Sequence, residues 1–221
     1  MRIVGPPLVH PSYGVRRKSG TLARVSKRAL DVLLTIAVAP LAAIVVAGFA
    51  IVLAIELRGW PFFVQDRVGQ GGKTFRMFKL RTMRHAAAGD EPTYDVEDWE
   101  TYVFSPGGGQ DPRVTRWGQF CRDKSIDELP NLWNVFAGEM SLVGPRPEIP
   151  ELVAQYPPEF HRRHDVRPGI TGLAQVNGRS DLTYSEIVTY DLRYVDNNSL
   201  FGDFQLLWRT AVVVLTGSGA R

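Results

Sequence analysis

The stretch VLLTIAVAPLAAIVVAGFAIVLAI, residues 32–55, runs for 24 residues without a charged side chain. A helix needs roughly 20 such residues to cross the hydrocarbon core of a bilayer, so the segment reads as a membrane helix rather than a core helix of a soluble domain. It does not read as a cleavable leader: the apolar run is too long, starts after 31 residues, and is not followed by a small-residue cleavage site. The anchor is expected to stay. Pro40 lies about a third of the way along, where its ring meets the preceding turn and its missing N–H leaves a carbonyl unpaired, which predicts a kink or break.

The flanks say which way the segment goes. Seven of the first 28 residues are Lys or Arg, and a second basic stretch follows the segment from Arg58 to Arg84. Positive charge beside membrane segments is retained on the cytoplasmic side, so a straight span would export one basic flank. A re-entrant helix that turns at Pro40 and leaves by the same face keeps both inside, which favours it over the alternative of a kinked span. The expected organisation is a basic tail over 1–26, a re-entrant membrane helix over 27–58 broken at Pro40, and a cytoplasmic catalytic domain over 59–221 lying on the membrane.

Composition narrows the partners. The net charge of +3 is mild, and a basic head beside an apolar run points to an anionic membrane surface, not to nucleic acid. Cys121 is the single cysteine; it forms no intramolecular disulfide or thiolate zinc cluster and suits a reducing compartment.

Beyond the membrane segment, PFFVQDRVGQGGKTFRMFKLRTM, residues 61–83, places two Phe- and Val-rich runs around Gly69, Gly71 and Gly72, which predicts a β-hairpin. The GKT at 72–74 is not a phosphate loop, because Arg67 stands where that motif needs its first glycine. Residues 86–110 are acidic, end in three glycines and read as a solvated loop. Leu129, Leu132, Trp133 and Phe136 recur at helical spacing and Gly138 closes that helix. Residues 152–164 and 184–195 are helix-prone, and 166–179 reads as a glycine-punctuated loop. In the C-terminal helix Phe204, Leu207, Trp208, Ala211 and Leu215 share a face that suits a membrane interface or a core equally. The fold class is α/β mixed, mainly helical, with a small β-hairpin.

The chemistry concentrates in RDKSIDELPNLWNVFAGEMSLVGPRPE, residues 122–148. SIDE, residues 125–128, fits the S-x-x-E capping box. With Ser125 as cap, however, Pro130 would be the fifth helical residue and would clash; with Asp127 as cap it falls harmlessly in the first turn. Either way Asp127 and Glu128 sit at a helix start, where free N–H groups favour negative charge. Arg122 and Arg146 lie on either side in sequence and are both able to hold phosphate oxygens by forked bonds, although Arg122 equally suits a structural bridge to Asp127. A carboxylate, a neighbour fit to hold a divalent cation, and converging arginines suit phosphoryl transfer.

Taken in order, KRALD (27–31), the proline-interrupted helix, FKLRTM (78–83), DPRVTRWG (111–118), SIDELPNLWNVFAGEMSLVGPRPE (125–148) and RPGITGLAQVNGR (167–179) resemble the bacterial sugar transferases called monotopic phosphoglycosyl transferases, in their small form. The resemblance covers nearly everything from Lys27 onward. It implies transfer of a sugar phosphate from a UDP-sugar to polyprenyl (undecaprenyl) phosphate, with release of UMP, at the cytoplasmic face of the bacterial inner membrane, as the first membrane step of a surface glycan. It implies Asp127 as the nucleophile that forms a covalent phosphosugar, and Glu128 as the residue associated with Mg2+. Arg122, Arg146 and Arg179 become candidates for phosphate or nucleotide, and Lys79 and Arg81 for assistance or for lipid headgroups. Membrane lipid is an expected partner and a homodimer is compatible. Two departures stand out: Ala39 precedes Pro40 where members often have Ser, and Glu139 replaces the usual Asp.

Two other readings compete. A catalytically silent membrane scaffold needs Asp127 and Glu128 only as a helix cap. A metal-dependent hydrolase would use His161 and His164 of HRRH, but that pair lacks the glutamate and third ligand such a site requires.

Overall fold

The computed structural model describes residues 20–85, 94–103, 111–178 and 182–216. In chain order its elements are α1 (Thr21–Leu57), β1 (Phe62–Val68), β2 (Thr74–Leu80), α2 (Arg116–Asp123), α3 (Leu132–Ala137), β3 (Ser141–Val143), α4 (Pro150–Val153), β4 (Gly169–Thr171), α5 (Tyr184–Asn197) and α6 (Leu200–Thr216). Short 3-10 turns lie at Gln70–Gly72, Ile126–Asn131 and Pro158–Asp165. The chain is mainly helical, as expected, and β1 and β2 form the expected antiparallel hairpin, with Phe62 opposite Leu80 and Val68 opposite Thr74.

Helix α1 departs from expectation in one respect. It runs unbroken through Pro40 for 37 residues, roughly 55 Å at 1.5 Å per residue, and its start takes in the last residues assigned to the basic tail. A proline costs a helix one hydrogen bond and a local clash; here packing over the rest of the helix outweighs that loss. Asp31, Thr35, Ala42, Ala50 and Leu53 form a buried stripe along its length. On the other faces Leu33, Leu41, Ile44, Ile51 and Ile55 are more than half exposed, a contiguous apolar surface of the kind that lipid covers.

Both ends of α1 are fastened to the rest of the chain. Near the start, Lys27 Nζ meets Asp203 Oδ2 at 2.6 Å, and Arg28 donates to the Val135 and Phe136 carbonyls at the end of α3. Asp31 accepts from Ser141 Oγ and the Leu142 N–H. Near the finish, Leu53 packs with Leu80 and Cys121, Phe49 contacts Trp117 and Phe120, and the Glu56 carboxylate accepts from the Trp117 N–H. Complete burial of Leu53 contributes about 1.5–3 kcal/mol.

The 125–138 region folds differently from its hydrophobic spacing. Ser125 takes a left-handed conformation (φ 53°) and makes no side-chain cap bond, and Asp127 is the second residue of the 3-10 turn, not the cap of an α-helix. The 3-10 turn accommodates Pro130, and α-helix proper begins at Leu132. Trp133 and Phe136, expected on an amphipathic helix, are 61% and 48% exposed, whereas Asn131 and Asn134 are fully buried. Asn134 explains the inversion: its amide donates to the Arg76 carbonyl and the Glu139 carboxylate and its oxygen accepts from the Phe78 N–H, binding α3 to β2.

A second sheet was not expected. Within the supposed loop after residue 166, β4 pairs in parallel with β3. Gly144 and Gly169 make this pairing close: a Cβ on Gly144 would lie 2.4 Å from the Arg167 carbonyl oxygen, and one on Gly169 2.1 Å from the Gly144 nitrogen. The stretch 152–164 is split by Pro157 and Pro158 into α4 and a 3-10 turn, whereas α5 forms as expected, with a complete capping box at Thr183 and Glu186. Helix α6 divides its two readings between its faces: Asp203 and Leu206 are buried, while Phe204 and Trp208 are 50% and 72% exposed.

Candidate active site

Three pieces of backbone meet around Asp127 and Glu128. Strand β2 supplies Lys79. Its alternation puts Phe75, Met77 and Lys79 on one face, and because Phe75 and Met77 are core residues, the Lys79 stem is drawn inward with them. Its ammonium donates to Glu128 Oε1 at 3.3 Å. The loop after β3 supplies Arg146, whose Nη2 donates to the same oxygen at 2.6 Å. The tight β3–β4 contact fixes where that loop leaves the sheet, so GPRP and RPGITG act as one structural unit.

Arg122 arrives from α2. Gly118 lets that helix press against the FKLRTM segment, where an added Cβ would sit 2.2 Å from the Thr82 carbonyl oxygen. The Arg122 Nε donates to Thr82 Oγ1 at 2.9 Å, and its charge reaches Asp127 without a direct bond. Arg81 is not brought to the pair: its guanidinium meets His85 Nε2 at 2.7 Å. Arg179 lies outside the described residues.

The environment drives the two carboxylates apart. Burial pushes Glu128 up, but Arg146 and Lys79 outweigh it and hold the carboxyl well below its usual range. Burial and the adjacent Glu128 charge push Asp127 from an ordinary 3.8 to about 6, against the opposing pull of Lys79, Arg146 and Arg122. Glu128 is thus a fixed anion spent on two cations. Asp127 accepts no hydrogen bond among the described residues and is ionised at neutral pH, an arrangement that suits a nucleophile rather than a helix cap.

Sequence reasoning passed over the residues that surround these. Arg67, on β1, donates to the Pro147 carbonyl and to Glu148 Oε2 at 3.4 Å, and burial lowers its pKa while Glu148 and Glu128 support the charge. Arg163 is 1% exposed and holds the Arg146 loop from behind. It donates to the Arg146 carbonyl at 3.0 Å, to Asp191 Oδ2 at 2.5 Å, and to the Tyr156 and Tyr184 hydroxyls. In HRRH it is Arg163, not the histidines, that matters here, and nothing in that spacing marks it. His161 and His164 lie against the Tyr156 ring and each other.

The donor set can be tested for Mg2+. Among the described residues no group of three or more His, Cys, Asp or Glu side chains could hold a metal ion. Mg2+ needs less, commonly one or two carboxylates completed by water and substrate phosphates. Asp127 and the second oxygen of Glu128, which accepts no hydrogen bond among the described residues, fit that partial role.

A family model described as bacterial sugar transferase matches residues 22–217. The chain is 38% identical over 199 residues to the galactosyl transferase CpsE of Streptococcus agalactiae, an alignment covering 89% of this chain and 44% of that protein. It is 37% identical over 201 residues to an Aeromonas hydrophila UDP-N-acetylgalactosamine-undecaprenyl-phosphate N-acetylgalactosaminephosphotransferase, covering 88% of this chain and 45% of the relative. It is 36% identical over 210 residues to the exopolysaccharide production protein ExoY of Sinorhizobium fredii, covering 89% and 88%. The chain thus spans less than half of the first two relatives and most of the third.

Proposed function

Because this chain belongs to the bacterial sugar transferase family, we propose that it moves a sugar 1-phosphate from a UDP-sugar to polyprenyl phosphate and releases UMP. The observation that carries this reading is an Asp127 that accepts no hydrogen bond among the described residues, beside a Glu128 locked between Arg146 and Lys79; burial and the Glu128 charge push the Asp127 carboxyl up. In the first step an Asp127 oxygen attacks the sugar-bearing phosphorus. A new carboxyl–phosphorus bond forms, the bond to the bridging oxygen breaks, and UMP departs with that oxygen. In the second step the phosphate oxygen of the polyprenyl acceptor attacks the same phosphorus and Asp127 is regenerated.

The chain's own residues divide the remaining work. Arg146, Lys79, Arg67 and Arg122 supply positive charge for a diphosphate, so an anionic nucleophile can approach an anionic substrate. Glu128 keeps two of these cations aligned while no substrate is bound. Mg2+, held by Asp127 and Glu128 together with the diphosphate, would neutralise charge on the leaving group. Relatives named for galactose and for N-acetylgalactosamine support a hexose or acetamidohexose donor, and ExoY's name supports a role in surface polysaccharide synthesis.

The same reading gives α1 its purpose. One substrate is soluble and the other is lipid-bound, so the nucleophile belongs at the interface. Among the described residues α1 is the one helix long and apolar enough to cross a membrane. Its buried stripe and its attachments at both ends to the rest of the chain support a monotopic arrangement, in which both basic flanks stay at the cytoplasmic face of the inner membrane.

The test is a turnover assay of the purified chain with labelled UDP-sugars, Mg2+ and polyprenyl phosphate, comparing the parent with Asp127→Asn. UMP release is expected from the parent and not from the amide, which cannot form the acyl phosphate. Mass spectrometry should find the sugar phosphate on Asp127. Turnover that survives the substitution removes Asp127 from the nucleophile's role, and no turnover by the parent with any donor favours a membrane scaffold.

A further inference from the structure

Away from the carboxylate pair, the start of α1 forms one wall of a groove of about 1750 Å³. The opposite walls come from the stretch after the Pro158–Asp165 turn and from the junction of α5 and α6, and none of Asp127, Glu128, Lys79 or Arg146 lines it. Five of the lining residues are Lys or Arg and two are Asp. Two of the five cations are already neutralised: Lys27 by Asp203 and Arg162 by Asp196, each at 2.6 Å.

The other three, Arg24, Arg28 and Arg167, have no carboxylate partner among the described residues. Arg24 bonds only the Thr21 hydroxyl, at 3.4 Å. Arg28 and Arg167 converge on one helix end: Arg28 donates to the Val135 and Phe136 carbonyls at 2.6 and 2.9 Å, and Arg167 to the Gly138 carbonyl at 2.9 Å. Burial lowers the Arg167 pKa and the Arg28 charge lowers it further, with Asp31 opposing both; Asp165 also lines the groove, so its cations outnumber its carboxylates without being alone there. Beside them the groove is apolar. Val25, Val32, Leu33 and Leu200 line it, where the uncharged segment of α1 begins.

We propose that this groove seats an anionic phospholipid of the bilayer, its headgroup phosphate between Arg28 and Arg167 and its acyl chains along Val32, Leu33 and Leu200. Charge complementarity names the headgroup: forked donors bind phosphate, and a zwitterionic lipid would bring a second positive charge to the same place. The apolar wall at the membrane end excludes a soluble phosphate as the principal ligand. Such a lipid would fix the start of α1 at the level of the headgroups, independently of the chemistry at Asp127.

The experiment uses the full chain in dodecyl maltoside micelles, titrated with phosphatidylglycerol or with phosphatidylcholine of the same acyl chains, with bound lipid counted by native mass spectrometry. One phosphatidylglycerol per chain is expected, held about tenfold or more tightly than phosphatidylcholine. Arg28→Gln combined with Arg167→Gln should lose that preference. Ala29→Trp, which keeps both arginines but fills the groove from an exposed position on α1, should lose it too, and it decides the matter if the double variant does not fold. Equal retention of the two lipids by the parent, or full retention of phosphatidylglycerol by a folded variant, overturns the proposal. Displacement of phosphatidylglycerol by equimolar polyprenyl phosphate also overturns it, because the groove would then be an acceptor site. Asp127→Asn should bind phosphatidylglycerol as the parent does, so this result stands or falls apart from turnover.

Discussion

Asp127→Asn should make the protein more stable while abolishing its chemistry. The carboxyl rises from 3.8 to about 6, chiefly through burial and then through Glu128, after the attraction of Lys79, Arg146 and Arg122 has been counted. That is roughly a hundredfold gain in proton affinity, or about 3 kcal/mol at 1.36 kcal/mol per tenfold. Because the folded value lies above the unfolded one, the penalty is absent below about pH 3.8 and present in full above about pH 6. An amide carries no such penalty at any pH. At about 2–4 °C per kcal/mol for a chain of this size, the Tm of the Asn variant should exceed the parent's by roughly 6–12 °C at about pH 8. The gain should shrink towards zero by about pH 4. Thermal unfolding of both proteins in detergent, followed by tryptophan fluorescence at the two pH values, measures this, with UMP release recorded in parallel. A lower Tm for Asn at about pH 8, or a gain that does not depend on pH, refutes the picture of a destabilised, ionised nucleophile.

Other consequences follow from the same contacts. UMP release should climb with pH in proportion to ionised Asp127, reaching half its plateau at about pH 6, as a pH–rate profile would report. Arg163→Met should cost about 3–5 kcal/mol by leaving Asp191 buried without its cation, seen as a lower denaturation midpoint. Gly144→Ala should also lower the Tm, because its Cβ would meet the backbone oxygen of Arg167 at 2.4 Å. Leu53→Ala should cost about 2–5 kcal/mol through the cavity it opens between α1 and the α2 region, measured by denaturant unfolding in detergent.

The parts legible in the sequence were those set by local pattern. The uncharged run fixed a long helix, the Gly69–Gly72 cluster fixed a hairpin, and the helix-prone run 184–195 became α5. Spacing failed where long-range contacts overrode it. Trp133 and Phe136 kept their helical spacing but face outward, since the buried side of α3 is claimed by Asn134 binding the β2 backbone. Pro40 was expected to break α1, and the buried stripe on either side kept it whole. At the site, Lys79 and Arg146, both named from their motifs, meet on Glu128. Arg81 does not join them: one residue beyond the end of β2, it meets His85 instead. Arg163 could not be found by spacing at all, because its partners Tyr156, Tyr184 and Asp191 come from the segment before α5 and from α5 itself, and only folding brings them together.

The packing also links the membrane segment to the chemistry. Ile126 precedes Asp127 and Leu80 follows Lys79, and both belong to the hydrophobic cluster built on Ala50 and Leu53 of α1. Asp127 and one of the cations that act on it therefore rest, one residue removed, on the apolar helix itself. A well-packed interior transmits displacement because it has little free volume to absorb it. Whatever depth α1 takes in lipid is consequently imposed on Asp127 and Lys79 through Leu53, with no flexible linker between anchor and active site. That coupling is what the proposed function requires, an acceptor phosphate met at a fixed height in the headgroup layer.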